Sequence, residues 1–301
     1  MSFYGNLFAL CDELKCEYST EALLKDYTSF KIGGKADVMI FPDTFGKLTE
    51  VVSFSHKNRI PLFVLGKGSN LLVNDNGIRG VVINTCKLDK IELLDDTTIR
   101  CECGISLSRL CRFALDNSLT GLEFAFGIPG TAGGAAYMNA GAYGGEMKDV
   151  LISCEHLNAD GSVSSFSGND LSLGYRHSVY SDSDYIITAL ILKLCKGNKE
   201  DIKAKMDELI GKRKDKQPLE YPSAGSTFKR PEGYFAGALI EQSNLKGFSV
   251  GGAEVSVKHA GFVINKDNAT CEDVLNLIKH IQNTVKSNFG VDLETEVIYL
   301  E

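Results

Sequence analysis

The sequence lacks the features that would place it in a membrane or a nucleic-acid-binding class. No window approaches roughly 18 uncharged apolar residues, and the N-terminal stretch has no basic segment, so we expect neither a membrane span nor a signal peptide. Positive charge is not in excess either, since the formal net charge is −7 at pH 7. Nucleic acid selects for clustered Lys and Arg, so we expect no nucleic-acid partner, whereas a small anionic substrate needs only a local basic pocket.

Regular cysteine spacing is also missing. The nine cysteines are an odd number, and the closest pair, Cys101 and Cys103, has no second pair at metal-ligand spacing. We interpret them as reduced thiols that pack as small hydrophobic side chains, which fits the cytoplasm. The sequence shows no metal-binding pattern, no internal repeat and no sign of an obligate protein partner.

The chain is long enough for two or three domains. It has 301 residues, of which 44% are hydrophobic, so it can bury a sizeable core. Breaks in composition divide it into segments 1–84, 85–197 and 198–301. The first alternates short apolar strands with a helix, as in a small α/β unit.

Hydrophobic periodicity and end signals predict the elements inside these segments. The predicted helices cover 45–58, 106–119, 201–217 and 270–290. The predicted strands cover 36–41, 60–66, 70–73, 80–84, 151–158, 184–195 and 292–300, with two more around an Asp-Asp turn in 91–104.

Two glycine-rich stretches carry the first chemical signal. In FVLGKGSNLLV (63–73), Gly66 and Gly68 would let backbone N–H groups approach an anion, although a tight turn without a ligand fits equally well. The stretch is not a Rossmann fingerprint, because Leu71 stands where the third glycine is required, and it is not a Walker loop.

The second stretch, GIPGTAGGAAYMNAGAYGG (127–145), contains seven glycines. We expect no regular element there. Ile128, Pro129 and Tyr137 are poor linker residues, so a packed loop that holds a large cofactor fits better than a flexible linker. Two such loops on a strand-rich scaffold indicate a dinucleotide, and a flavin fits best.

Six motifs extend over nearly the whole chain: TSFKIGGKAD (28–37), LGKGSNLLV (65–73), GIPGTAGGAAYMNAGAYGGEM (127–147), GYRHS (174–178), AGSTFKRP (224–231) and KHAGFVIN (258–265). In this order they resemble the UDP-N-acetylenolpyruvoylglucosamine reductases, also called UDP-N-acetylmuramate dehydrogenases. The segment lengths are similar to those of the second subclass, which lacks an inserted tyrosine-bearing loop.

The resemblance implies an α+β fold. A two-part FAD-binding domain of the vanillyl-alcohol-oxidase (PCMH) type would occupy 1–84 and 85–197, and a smaller α+β substrate-binding domain would occupy 198–301. It also implies FAD and NADPH as cofactors and a UDP-sugar enolpyruvyl ether as the substrate, reduced during peptidoglycan precursor synthesis. The FAD contacts are then expected at Gly66, Lys67, Gly68, Ser69, Asn70, Gly127, Pro129, Gly130, Thr131, Gly133, Gly134, Asn139 and Gly141.

The implied reaction delivers hydride to the β-carbon of the enolpyruvyl group, so it needs stabilisation of an enolate and a proton donor at the α-carbon. Ser226 matches the family's proton donor, Arg176 its active-site arginine and Glu296 its catalytic glutamate. The residues alone leave plainer roles open: a turn-forming serine, a surface arginine, and a solvated strand face that Glu294 would share with Glu296.

Four further residues are expected to contact the substrate. Lys229 and Arg230 could each stabilise the Ser226 alkoxide or the substrate, and the sequence leaves open which does which. His259 and Asn265 line the substrate cleft or are structural residues. The basic run 212–214 meets a diphosphate or forms a solvated helix end.

Two alternative functions remain at the level of sequence. One is an oxidase of the same FAD-domain superfamily acting on a sugar or alcohol. Many such oxidases attach the flavin through a histidine in the first glycine loop, and residues 61–80 contain none. The other is a flavin-binding protein without catalysis, which the joint presence of Ser226, Arg176 and Glu296 disfavours.

Overall fold

A computed structural model describes residues 3–301, so the first two residues of the predicted segment 1–84 lie outside the described part. The helices are α1 (Phe3–Leu14), α2 (Phe45–Lys57), α3 (Leu107–Asp116), α4 (Ala132–Tyr137), α5 (Lys199–Lys216), α6 (Ala236–Gln242) and α7 (Cys271–Phe289). The strands are β1 (Glu17–Ser19), β2 (Ala36–Phe41), β3 (Leu62–Leu65), β4 (Leu71–Val73), β5 (Ile78–Asn84), β6 (Ile91–Leu93), β7 (Thr98–Glu102), β8 (Leu119–Thr120), β9 (Gly141–Ala142), β10 (Gly145–Glu146), β11 (Leu151–Leu157), β12 (Val163–Ser167), β13 (Ile186–Lys193), β14 (Cys195–Lys196), β15 (Ser249–Val250), β16 (Ala253–Val255), β17 (Val263–Asn265) and β18 (Ile298–Leu300).

The chain forms two compact units, and both are discontinuous in sequence. The first unit combines the residues up to Thr20 with Val38–Lys67 and Gly80–Gly211; the second combines Glu21–Asp37, Gly68–Arg79 and Lys212–Glu301. The chain therefore passes between the units after Thr20, within β2, in the first glycine loop, within β5 and within α5. The predicted segment boundaries at 84/85 and 197/198 are still a prediction about domains.

A five-stranded antiparallel sheet, in the order β12-β11-β13-β7-β6, is the centre of the first unit. Its middle strand, β13, is almost entirely buried, as its continuous apolar sequence IITALILK predicts. The first unit also contains α2, α3 and a four-stranded sheet in the order β1-β2-β5-β3. Ser106 begins α3 by accepting a hydrogen bond from the N–H of Arg109 (3.3 Å).

The second unit is built around α7 and the three-stranded sheet β15-β16-β17. Thr270 and Asp273 form the predicted capping box at the start of α7, and Gly290 ends the helix in a left-handed conformation (φ 70°). The predicted apolar stripe of α7 is buried: Val274, Leu277, Ile278, Ile281 and Val285. Strand β18 pairs in parallel with β4, which follows the first glycine loop.

The prediction that 127–145 contains no regular element is wrong. Thr131 begins the short helix α4, and β9 and β10 form a small hairpin after it. The glycines serve close packing as well as flexibility: a Cβ on Gly133 would lie 2.8 Å from the Cβ of Cys103. Glycine has a low helix propensity, so the local sequence does not predict a helix here. Tertiary packing nevertheless stabilises α4.

Other elements also differ from the predictions. Helix α3 ends at Asp116, and Leu119 belongs to β8, so the helix is shorter than 106–119. The predicted terminal strand 292–300 is regular only in β18, because the residues before it make a single bridge at Thr295. Helix α1 has no counterpart among the predicted elements.

Candidate active site

Arg176 lies at the tip of a tight turn in the first unit. Gly174 and His177 exchange both backbone hydrogen bonds (3.0 and 3.3 Å), which leaves Tyr175 and Arg176 as the two turn residues. Arg176 adopts a left-handed backbone conformation (φ 53°). Its guanidinium donates to the Gly141 carbonyl (3.4 Å) and lies 5.4 Å from the centre of the Tyr175 ring.

The glycine-rich stretch supports this turn through Asn139. The side chain of Asn139 is fully buried and donates to the carboxylate of Glu146 (2.6 Å) and to the Gly174 carbonyl (2.8 Å). The amide oxygen of the same side chain accepts a hydrogen bond from the backbone N–H of Lys148 (2.9 Å). Sequence reasoning identified Asn139 as a cofactor contact and overlooked Glu146, whose only sequence signal is its position at the end of the 127–147 motif.

Gly66 of the first glycine stretch approaches Thr131 of the second within the first unit. A Cβ on Gly66 would lie 2.5 Å from the Thr131 hydroxyl, so glycine is required for this approach. Thr131 is buried and uses that hydroxyl to accept from the N–H of Gly134 (3.3 Å), which begins α4. Gly66 and Thr131, two of the expected FAD contacts, therefore lie close together.

These stretches also carry hydrogen-bond donors suited to a phosphate-bearing cofactor. Among the described residues, the backbone N–H groups of Lys67, Gly68 and Ser69 donate to no protein acceptor, and those of Gly130 and Thr131 do not either. Gly68 and Thr131 are buried, and a buried N–H without an acceptor is costly. Successive N–H groups of this kind fit the phosphates of FAD.

The other expected FAD contacts differ in exposure. Lys67, Pro129 and Gly134 are exposed, and Gly127, Gly130 and Gly141 are partly exposed. Gly133 and the side chain of Asn139 are buried.

Ser226 lies in the second unit, in a segment that pairs with the chain's last residues. Its side chain is exposed, while the next residue, Thr227, is buried. The N–H of Glu296 donates to the Thr227 carbonyl (2.8 Å), and the N–H of Lys229 donates to the Glu294 carbonyl (2.8 Å). This antiparallel pairing brings the Ser226 and Glu296 segments together.

The two candidate glutamates differ in environment, which the sequence could not show. Glu294 is exposed and forms an ion pair with Lys229 (3.3 Å). Glu296 is half-buried, and its carbonyl accepts from the side chain of Asn70 (3.1 Å). The Asn70 carbonyl in turn accepts from the N–H of Ile298 (2.9 Å), so Asn70 holds the Glu296 segment in place.

The two cations after Ser226 also have different partners. Lys229 is half-buried as a residue and pairs with Glu294, whereas Arg230 is exposed and lies over the Phe235 ring at 4.1 Å from its centre. An exposed cation over an aromatic face contributes about 0.5–1 kcal/mol.

The side chains of His259 and Asn265 are used by the protein. His259 Nδ1 accepts from the N–H of Gly261 (3.1 Å), and burial lowers the pKa of its imidazole. Asn265 is buried, donates to the Phe30 carbonyl (3.1 Å) and accepts from the N–H of Ala269 (2.8 Å). These contacts support the structural alternative for both residues.

The basic run 212–214 is not uniformly solvated. Lys212 and Lys214 are exposed, but Arg213 is buried and donates to Gln217 (3.2 Å). Within residues 3–301 there is no group of three or more His, Cys, Asp or Glu side chains that could hold a metal ion. In the same range, no helix combines the length and the apolarity needed to cross a membrane.

Comparison with known proteins decides the family. The model of the C-terminal domain of UDP-N-acetylenolpyruvoylglucosamine reductase matches residues 217–300, and an FAD binding domain model matches residues 36–167. The reductase of Clostridium tetani is 51% identical over 93% of this chain and 91% of its own length. The chain belongs to the UDP-N-acetylenolpyruvoylglucosamine reductase family.

Other relatives agree with this membership. The reductase of Caldanaerobacter subterraneus is 51% identical over 91% of this chain and 90% of its own length. The crystal structure of the Thermus caldophilus enzyme superposes with a TM-score of 0.81 at 36% identity, covering 95% of this chain and 99% of that one. A Phl p 4 variant described as a glucose oxidase has a TM-score of 0.51 at 15% identity, over 66% of this chain and 45% of that one, which shows a shared fold alone.

These comparisons confirm the predicted fold class and the predicted enzyme class. The chain combines an FAD-binding domain of the PCMH type with the reductase's C-terminal domain. As a family member it is an FAD-containing oxidoreductase.

Proposed function

We propose that this chain reduces the enolpyruvyl ether of UDP-N-acetylglucosamine enolpyruvate to UDP-N-acetylmuramate, with NADPH as the reductant, in cytoplasmic peptidoglycan precursor synthesis. Family membership supports the substrate class. The observation that carries the proposal furthest is the pairing of residues 227–229 with 294–296. It brings the segments of the candidate proton donor and the candidate glutamate together from distant parts of the sequence.

The residues that would hold FAD are those with available backbone donors. The N–H groups of Lys67, Gly68 and Ser69 and those of Gly130 and Thr131 are suited to its phosphates. When bound, FAD supplies the hydride that goes to the β-carbon of the enolpyruvyl group. The remaining work of the protein is to bind the substrate, stabilise charge and deliver a proton.

Ser226 is the proposed proton donor. Its hydroxyl is exposed on a turn that includes Gly225 (φ 79°), so the hydroxyl can reach a ligand. The Ser226 Oγ proton goes to the α-carbon, and the electron pair of the enolate forms the new C–H bond. A serine alkoxide remains, and it needs a neighbouring cation, for which Lys229 and Arg230 are the candidates. Solvent then returns the proton to Oγ.

Arg176 and Glu296 are proposed to act on the charge that develops. The guanidinium of Arg176 is permanently charged and planar, so it suits the carboxylate and the enolate oxygens of the intermediate. Glu296 orients the reacting groups by accepting hydrogen bonds from a half-buried position. Lys229 and Arg230 remain proposed substrate contacts, and His259 and Asn265 act on the cleft through the backbone that they hold.

The proposal is tested by NADPH oxidation with purified FAD-loaded protein and UDP-N-acetylglucosamine enolpyruvate. We expect oxidation that depends on the substrate and a product heavier than the substrate by two hydrogens. If NADPH and the substrate use the site in alternation, double-reciprocal plots of the initial velocity at different NADPH concentrations will give parallel lines. Converging lines would contradict that order. Oxygen consumption with sugars or alcohols, without turnover of the enolpyruvyl ether, would support the oxidase alternative instead.

A further inference from the structure

Asn139 connects the glycine-rich stretch to the turn that carries Arg176. Its side chain has 0% exposure, and its amide nitrogen lies 2.8 Å from the Gly174 carbonyl and 2.6 Å from the Glu146 carboxylate. Its amide oxygen accepts from the N–H of Lys148 at 2.9 Å. Both N–H hydrogens of the amide are therefore used by the protein.

This burial argues against a direct cofactor contact by the Asn139 side chain. A fully buried amide whose two donors are already used offers no donor to a bound molecule unless the structure around it rearranges. Breaking one of these hydrogen bonds would leave a buried polar group unsatisfied, at a cost of about 1–3 kcal/mol. The side chain is therefore suited to fixing the protein's own geometry.

The turn that Asn139 holds has an unfavourable backbone conformation. Arg176 has φ 53°, a region that costs non-glycine residues energy and that persists when the surroundings impose it. Asn139 itself has φ 41°, which asparagine tolerates better than most residues. The hydrogen bond to the Gly174 carbonyl fixes the residue where the turn begins.

Neighbouring contacts connect the same two segments. Arg176 donates to the Gly141 carbonyl (3.4 Å), and the Ser178 hydroxyl donates to the Tyr137 carbonyl (2.7 Å). The Asn139 hydrogen bond thus lies between two other hydrogen bonds that connect the turn to residues 137–141. The side chains of Asn139 and Ser178 are both fully buried, and of these hydrogen bonds the one from Asn139 reaches Gly174, where the turn begins.

We infer that Asn139 is a positioning residue that sets the orientation of Arg176 for the reduction, through its hydrogen bond to the Gly174 carbonyl. The inference rests on the proposed function of Arg176 in that reaction. A displacement of about 1 Å in a group that stabilises the transition state can lower a rate about a hundredfold, so a remote hydrogen bond of this kind can control turnover.

Two variants remove the hydrogen bond in different ways. Asn139→Asp keeps the shape and the acceptor but loses the donor and places a second carboxylate beside Glu146. Asn139→Gly removes the side chain while allowing positive φ. Asn158→Asp and Asn158→Gly are matched controls, because Asn158 is half-buried and its side chain donates only to the hydroxyls of two exposed serines, Ser162 (2.7 Å) and Ser164 (3.0 Å).

The first measurement is turnover of the enolpyruvyl substrate in a double-mutant cycle with Arg176→Ala. We expect each Asn139 variant to lower kcat about tenfold to a hundredfold, with FAD content and flavin reduction by NADPH within about twofold of the unchanged protein. In the Arg176→Ala background the same Asn139 substitution should have little further effect, because both act through one group. An equal loss in both backgrounds would overturn the inference.

The second measurement does not depend on the proposed reaction. Trypsin cleaves after arginine only where the backbone opens locally, so release of the turn should speed cleavage after Arg176, detected by mass spectrometry. We expect faster cleavage there in both Asn139 variants, unchanged cleavage after Lys193, and no effect of the Asn158 controls. Unchanged cleavage after Arg176 would overturn the positioning role.

The two measurements separate the inference from the proposed function. Faster cleavage with no turnover of the enolpyruvyl substrate by the unchanged protein would contradict the proposed function while leaving Asn139 as the residue that positions the turn. Normal turnover in the unchanged protein, with turnover and cleavage both unaffected in the Asn139 variants, would contradict the inference alone.

Discussion

Adjacent hydroxyl groups at Ser226 and Thr227 have opposite environments. Thr227 is 3% exposed, and its hydroxyl accepts from the N–H of Val263 (2.9 Å), so it holds the segment against β17. Ser226 is exposed at the neighbouring position. One hydroxyl is structural, and the other is available to a substrate.

We predict that Ser226→Ala uncouples the two halves of the reaction. NADPH should still reduce the bound flavin at a normal rate, whereas turnover of the enolpyruvyl substrate should fall by about 10²–10⁴, the usual contribution of a positioned proton donor. Stopped-flow absorbance measures both steps separately. The control is Ser249→Ala, at an exposed serine of the same unit. Turnover of Ser226→Ala at the normal rate would show that another group donates the proton.

The two glutamates near the end of the chain provide a second matched pair. We predict that Glu296→Gln lowers kcat by about tenfold or more, because in the proposed mechanism its half-buried carboxylate orients the reacting groups. Glu294→Gln should change kcat by less than about twofold, since an exposed ion pair contributes only about 0–1 kcal/mol. Steady-state kinetics of both variants decides between them, and the reverse ranking would transfer the catalytic role to Glu294.

At the scale of elements, α4 shows what its two adjacent glycines do. Gly133 is buried against Cys103, whereas Gly134 is exposed, and a Cβ there would approach only the Thr131 hydroxyl at 3.4 Å. We predict that Gly133→Ala destabilises the protein by about 1–3 kcal/mol through overpacking. Gly134→Ala should leave the denaturant midpoint of the FAD-free protein unchanged or slightly raised, because alanine favours the helix. Equal midpoints for the two variants would contradict this packing.

The elements that could be predicted from sequence are those with strong local signals. Helix α7 has a capping box, an apolar stripe and a terminal glycine, and its predicted bounds agree with the structure. Helix α4 has glycines where helices disfavour them, so its packing against β7 and β13 could not be seen in advance. The Arg176 turn was recognised as a motif, but its support by Asn139 depends on hydrogen bonds between residues far apart in sequence.

At the scale of the whole molecule, the two units could not be derived from sequence. The second unit takes Glu21–Asp37 and Gly68–Arg79 from early parts of the chain and joins them to Lys212–Glu301. Local composition cannot show that β4, after the first glycine loop, pairs with the terminal strand β18. The pairing nevertheless matters for the site, because Asn70, directly before β4, binds the Glu296 carbonyl.

Two histidines, the buried His156 and the half-buried His259, give the stability of the molecule a defined pH dependence. Burial lowers the pKa values of His156 and His259 below the ordinary 6.5. Below pH 6.5 the unfolded chain therefore binds protons at these positions before the folded protein does. The free energy of unfolding should then fall as the pH drops below that value, ahead of the carboxylate range.

We predict that the thermal midpoint decreases as the pH is lowered from about 7 to about 5.5. His156→Gln should make this dependence of the midpoint on pH weaker. The exposed His280 provides the control substitution His280→Gln. Melting curves over this pH range measure the effect. If the thermal midpoint of His156→Gln depended on pH as steeply as that of the unchanged protein, the contribution of His156 would be contradicted.

The most direct test of the central claim is a single turnover without oxygen. FAD-loaded protein is reduced with one equivalent of NADPH and mixed anaerobically with UDP-N-acetylglucosamine enolpyruvate while flavin absorbance is followed. We predict that the oxidised flavin spectrum returns as one equivalent of UDP-N-acetylmuramate forms. A flavin that stays reduced with this substrate, and is reoxidised only when oxygen is admitted, would contradict the proposed function.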